Sequence, residues 1–513
     1  METEPSPQAT LLLLPGELRN HIYREYLCAG TEDGYVYDFE AGKLRTADHQ
    51  PIELNLMYTC KRIAQEMRGL ALSIHTVTFS TLYSRTLRTR AARWAYFVSR
   101  FRGGIGWHAV RQAVPPEVIR QVVGERSLVH AISCLHDRDA PEHEDFENFG
   151  PRPFDWEKRG GLAAYLAIIK EPWRIPTEDE LDTIGACLPT PAHRAPAALR
   201  DMWQDHPGKF RFSAAAAAIH FLSSLPANTR KYMRRICLRE DRVSVAHPEC
   251  HIRGLVPYCL ENPALRIERR ASLWTNLFQA CAWGSAGGQF KDPFDWPFGL
   301  IDWMGHWGGP FGDVDEDLPA DHATRPVALW MAEASHPDIP DSVSLVLDGD
   351  PTRERSADVF REAVQRDAAW QTAMERRFID MPTVLFNMRE ITAEHGWHVV
   401  RFPQLLLDIN KPSSRIQCNF DPGQPWDDDQ IAEIISTNKI AEDALVPNLD
   451  DNGQPYPVYP EAAWESERSD LFFATVSPLP PFRDLLDDNM DPGYIELDWV
   501  PPWDRLRARG ADV

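Results

Sequence analysis

The sequence has no paired cysteines, no long hydrophobic run and no excess of positive charge, and each absence removes a class of protein. Its nine cysteines, at positions 28, 60, 134, 187, 237, 250, 259, 281 and 418, are odd in number, widely scattered and never spaced C-x-x-C. This argues against a disulfide framework and for a reducing compartment, cytoplasmic or nuclear. The Ala-rich run at 213–225 comes closest to a membrane span, but His220 interrupts it and it is shorter than the ~20 apolar residues a span needs. The only apolar run near the start, 11–14, follows acids rather than a basic region, so no signal peptide is expected. Lys and Arg number 54 against 76 Asp and Glu, a net charge of −22. A field of that sign repels phosphate backbones and anionic lipid surfaces, so neither nucleic acid nor membrane is an expected partner.

Chemistry-bearing motifs are also scarce. There is no P-loop and no dinucleotide fingerprint, and Ser285-Ala286-Gly287-Gly288 lacks the G-x-S-x-G elbow. The richest cluster is His247-Pro248-Glu249-Cys250-His251, with Cys237 upstream and Cys259 downstream. Its spacing matches no zinc module, so a partly buried loop is the expected reading. Asp313-Val314-Asp315-Glu316-Asp317 looks like the start of a calcium loop, but Leu318 stands where the turn needs Gly and Thr324 where the bidentate Glu belongs. No catalytic residue, metal or cofactor is expected, and the chain reads as a non-enzyme.

What is present is a globular composition: 43% hydrophobic residues, 17 Trp and 23 Phe in 513 residues, enough for more than one core. The acids are unevenly spread, with 21 against 6 bases from Asp421 to the end. Trp464, Phe472, Phe473, Phe482, Trp499 and Trp503 lie among them, which predicts a wrapped, partly ordered segment rather than a free acidic tail. Two basic strings stand against the acidic whole, one around Arg85, Arg88, Arg90 and Arg93, the other Arg230, Lys231, Arg234, Arg235 and Arg239. They are expected to pair with acids inside the protein, with the C-terminal region packed back over the basic helices.

The periodicity predicts an α+β fold with helix in excess. Leu18, Ile22, Tyr23, Tyr26 and Leu27 recur at helical spacing behind Pro15, a residue suited to a first turn. A hairpin turned around Gly42 comes next, then a helical pattern from Leu54 to Ile74 and a strand at Thr76–Ser80. Further helices are predicted at 82–135, 177–188, 195–203, 212–225 and 353–378, with strands at 236–239, 342–347 and 399–409. Loose stretches at 140–176 and 284–326 suggest three regions: 1–83, a mainly helical 84–290, and an α+β 291–513 with an acidic, Pro-rich end.

Within the first region, Leu14-Pro15-Gly16-Glu17-Leu18-Arg19-Asn20-His21-Ile22-Tyr23, then Thr59-Cys60-Lys61-Arg62-Ile63-Ala64-Gln65-Glu66, then Val77-Thr78-Phe79 succeed one another in order. This succession resembles the fungal F-box-like family, over about the first 80 residues. The resemblance implies an N-terminal F-box-like helical module with a β-hairpin insertion. By analogy with F-box proteins proper, it implies that Leu14, Pro15, Leu18, Ile22 and Tyr23 touch the linker subunit of a cullin–RING ubiquitin ligase while the rest of the chain holds a protein substrate. The sequence departs from the proper F-box in its hairpin and in the strand that replaces a third helix. A scaffold without a ubiquitin link, and an enzyme of unrecognised type, stay open beside the adaptor. The same apolar stripe also suits the module's own core.

Overall fold

The computed structural model describes residues 11–29, 34–102, 171–187, 208–280, 317–377, 399, 401–429, 431–432, 448–449, 455–456 and 471–490. Helices and strands are both present, and seven of the strands gather into one sheet. These are β1 (Tyr35–Asp38), β2 (Lys43–Thr46), β3 (Thr76–Ser80), β4 (Arg235–Glu240), β5 (Arg266–Ser272), then, after the two-residue β6 (Leu318–Pro319), β7 (Val343–Asp348) and β8 (Ile416–Cys418). The order across the seven-stranded sheet is β2-β1-β3-β4-β5-β7-β8. Only the β1–β2 hairpin is antiparallel; every other neighbouring pair is parallel. The sheet thus takes strands from all three stretches of the sequence, while β6 pairs apart, antiparallel to Phe472–Phe473.

From β3 onward each strand of the sheet is added beside the previous one, moving in one direction. Right-handed crossovers that always step the same way place their helices on the same face. Register and burial agree. Val77, Ile236, Ile267 and Val343 lie side by side and are buried, as are Phe79, Leu238 and Leu345 two residues on. The Ala214–Ser224 helix covers β3 and β4, with Ala214, Ala215, Ala217, Ala218, Phe221 and Leu222 in one cluster with these strand residues. Around β5, β7 and β8 a second cluster joins Ala271, Leu345, Leu347 and Ile416 to the Asp321–Ala334 helix and to the helical run from Arg353 to Arg377.

The C-terminal stretch 471–490 belongs to that second cluster through Phe473, Phe482, Leu485, Leu486 and Met490. Lys209 N donates to Asn489 O at 2.8 Å, Arg211 Nη1 to Asn489 Oδ1 at 2.7 Å, and Arg242 Nε to Asp488 Oδ2 at 3.0 Å. The expected return of the acidic region is thus seen for these residues, on Lys209, Arg211 and Arg242 rather than on the basic strings. Some members of those strings find acids elsewhere, Arg93 with Glu178 at 2.5 Å and Asp182 at 2.7 Å and Arg230 with Glu261 at 2.7 Å, whereas Arg234 and Arg235 donate to backbone carbonyls.

Several local expectations are corrected. The helix expected from Leu54 to Ile74 is three short pieces, a 3-10 helix Asn55–Tyr58 and the helices Lys61–Glu66 and Leu70–Ile74, the last two parted because Gly69 turns the chain at φ +71° and a Cβ there would lie 2.1 Å from the Tyr232 ring. The strand expected at 399–409 is a helix, Phe402–Asp408, with Pro403 in its first turn and Phe402, Leu405 and Leu406 buried. β5 was hidden by its charges, since Arg269 rather than an apolar residue occupies an inward position. The Ser285–Gly288 string, Asp313 to Glu316, Trp464, Trp499 and Trp503 lie outside the described residues.

Candidate partner-binding face

The first helix, Gly16–Cys28, begins after Pro15 and has Glu17 in its first turn, where a negative charge suits the positive end of the helix dipole. Its inner side is fixed by both packing and charge. Tyr23, Leu27, Ile63 and Met67 are buried together, bordered by Leu54, Leu56, Leu70 and Ile74. At the edge of this small core Glu66 accepts from Arg19 Nε at 2.9 Å, Arg19 Nη2 at 2.6 Å, Tyr23 Oη at 2.8 Å and Arg62 Nε at 3.1 Å. The bidentate Arg19, itself buried, also donates to Leu14 O, tying the entry of the helix to its core.

These donors, Arg19 first, hold the Glu66 carboxyl down at about 2. A carboxyl depressed in the folded state contributes stability above its unfolded value, ~4.3, and loses it as pH falls through the folded value. Wild type is therefore expected to lose stability between pH 5 and 2 more steeply than Glu66→Gln, as urea midpoints measured across that range would show. Parallel curves would mean that the carboxylate does not hold these helices together.

The outer side of the same helix is not part of that core among the described residues. Leu18 is 52% exposed and Ile22, one turn on, 38%. Leu12 and Leu13 precede them, also exposed, and Pro15 is exposed while Leu14 is half-buried. Tyr23 alone of the five residues singled out in the sequence is fully buried, with its hydroxyl bonded to Glu66. An apolar i, i+4 pair in water on a helix secured by its other side presents a narrow hydrophobic ridge that suits insertion into a groove. The hairpin β1–β2 and strand β3 join these helices to the sheet through the β1–β3 and β3–β4 pairings.

Two polar clusters invite a chemical reading and are closed by their own bonds. Ser213 Oγ lies 2.7 Å from His251 Nδ1, an approach that suits a nucleophile and its base. Yet both residues are buried, His251 Nε2 is 2.7 Å from Ala246 O, and Ser213 Oγ also accepts from Ala216 N as the helix cap. The pair bolts the Ala-rich helix to the turn at Pro248–Leu255 and leaves neither ring nitrogen for a metal. At the carboxyl ends of β5, β7 and β8, where ligands bind many open parallel sheets, Asp348, Asp350 and Asn419 converge. There Asn419 Nδ2 donates to Asp348 at 2.7 Å and Asp350 at 3.1 Å, Arg270 pairs with Asp348 at 3.3 Å and Arg353 with Asp350 at 2.7 Å. Each carboxylate thus has its own cation. Sequence reading missed this group because Asn419 lies 71 residues from Asp348 and 69 from Asp350, with no spacing signature.

Among the described residues no helix is long and apolar enough to cross a membrane. Comparison with family models, with curated proteins and with solved structures finds no match.

Proposed function

We propose that the protein acts by tethering, as an F-box-type substrate-recognition adaptor of a cullin–RING ubiquitin ligase, with the first helix on the linker subunit and the sheet-bearing remainder holding the protein substrate. The resemblance of the first 80 residues supplies the partner. The observation that carries the reading is the outward placement of Leu18 and Ile22 on a helix whose inward side is already satisfied. No catalytic role is assigned to the chain. The continuation of the module into the sheet, where a proper F-box has another helix, favours a second reading, a scaffold with the same helix face and no ubiquitin link.

The test is calorimetric titration of the purified protein with the linker subunit. Burying two apolar anchors is worth about 1.5 to 3 kcal/mol each, so Leu18→Asp and Ile22→Asp together should weaken binding at least about a hundredfold. Because both side chains are exposed, circular dichroism and the melting temperature should stay at wild-type values. A folded wild type that does not bind the linker removes the adaptor reading and leaves the scaffold.

A further inference from the structure

The geometry points to the arginine-bearing face of the sheet as a binding surface for an extended acidic segment of another protein. Parallel sheets are ordinarily covered on both faces, and here the helices of the described residues that pack on the sheet lie on one. Strand alternation turns the residues between the buried rows to the other face, where Thr78 and Val346 are buried but Arg235, Arg239, Arg266, Glu268 and Gln417 are all exposed. Lys43, Arg45, Arg235, Arg239, Arg266 and Arg270 face this way against three acids, Asp38, Glu268 and Asp348. The face is therefore basic on a chain whose net charge is −22.

The arrangement of these charges opposes stability. Arg235 lies directly beside Arg266, and Arg239 beside Arg270, in adjacent strands. Like charges in such positions repel, so the sheet would be better served by almost any other choice. Arg270 is relieved by Glu268 at 3.1 Å and Asp348 at 3.3 Å. The other three have no carboxylate partner among the described residues: Arg235 donates to Ile74 O, and Arg266 to Pro263 O and Leu265 O. Two pairs of guanidinium groups four residues apart along the strands are separated by ~13 Å, the reach of four residues of extended chain. Acidic side chains on one side of an extended segment can meet both pairs.

Charge also selects the class of polyanion. A short acidic segment stays within a Debye length of ~8 to 10 Å of this face and senses its local excess of base. A long nucleic acid extends past it into the field of the acidic whole. The site lies on other elements than Leu18 and Ile22, so it stands whether or not the linker binds.

The experiment uses the full chain and a fluorescein-labelled peptide of about ten glutamates, read by anisotropy at low salt, where a charge-led contact is strongest. Saturable binding is expected, weakened at least about tenfold by Arg235→Glu with Arg239→Glu and unaffected by Arg24→Glu on the exposed first helix. Glu268→Lys should tighten it severalfold, and this opposite sign carries the test if the double variant does not fold. The inference is overturned by an absence of saturable binding, by equal loss in Arg24→Glu, or by Glu268→Lys leaving the affinity unchanged. Tighter binding of a single-stranded oligothymidine through the same arginines would equally overturn it, transferring the face to nucleic acid.

Discussion

A chain ended at Asp470 is expected not to fold. Removing residues 471–513 takes Phe473, Phe482, Leu485, Leu486 and Met490 out of the larger core, where each is less than a tenth exposed. Burial of such side chains contributes about 1.5 to 3 kcal/mol apiece, or roughly 7 to 15 kcal/mol for the five. That equals the whole stability of an ordinary domain, about 5 to 15 kcal/mol, before the cavity left behind is counted. The same cut leaves Arg211 without Asn489 and Lys209 N without its acceptor, adding buried polar groups without partners. The truncated chain should show no cooperative thermal transition and should be digested throughout by limited proteolysis. A soluble truncated protein melting at the wild-type temperature would show instead that this stretch is an appendage.

Glu240→Ala is expected to destabilise the protein by about 3 to 5 kcal/mol, the usual effect of removing one partner from a buried ion pair. Glu240, fully buried at the end of β4, accepts from Arg269 Nη2 at 2.9 Å and Nε at 3.1 Å on β5. Its carboxylate also accepts from Ala214 N at 2.9 Å and Ala215 N at 3.3 Å, the first turn of the Ala-rich helix. One side chain therefore neutralises a buried guanidinium and satisfies two backbone donors that the helix cannot satisfy itself. Arg269 would keep Pro248 O at 2.6 Å, Glu249 O at 2.9 Å and the Trp330 ring 3.9 Å away, but its charge would have no counter-ion. Urea unfolding gives the number. Glu240→Leu with Arg269→Met should recover much of the loss, because replacing both charges leaves no unpaired ion. A loss under about 1 kcal/mol for Glu240→Ala alone would mean that water reaches Arg269 and the pair is not a keystone.

Much of the fold was legible where the governing interactions are short in range. The hairpin around Gly42, the strand Thr76–Ser80 and the buried Ala214–Ser224 helix arise from turn chemistry, alternation and an apolar run closed by Pro226. The stretch 399–409 misled because leucines suit strand and helix alike, and Pro403 at the first helical turn decided for helix. β5 was invisible because Arg269 points inward, a position that alternation assigns to an apolar residue unless a distant carboxylate is known to meet it.

The candidate face divides in the same way. Spacing alone placed Leu18, Ile22 and Tyr23 on one helix, and composition by itself determined an acidic, globular chain without a disulfide pattern in its cysteines. Only the tertiary structure decided that Tyr23 turns inward to Glu66 while Leu18 and Ile22 remain in water. It also decided that parallel strands succeed one another in a single direction, with Arg235, Arg239 and Arg266 exposed on the face opposite the buried rows. Periodicity depends on neighbours three or four residues apart and so identifies stripes. Which edge of a stripe is covered, and which charge meets its counter-ion inside, depends on partners 26 to 47 residues away, such as Ala214 for Glu240 and Glu66 for Arg19, and local pattern carries no record of them.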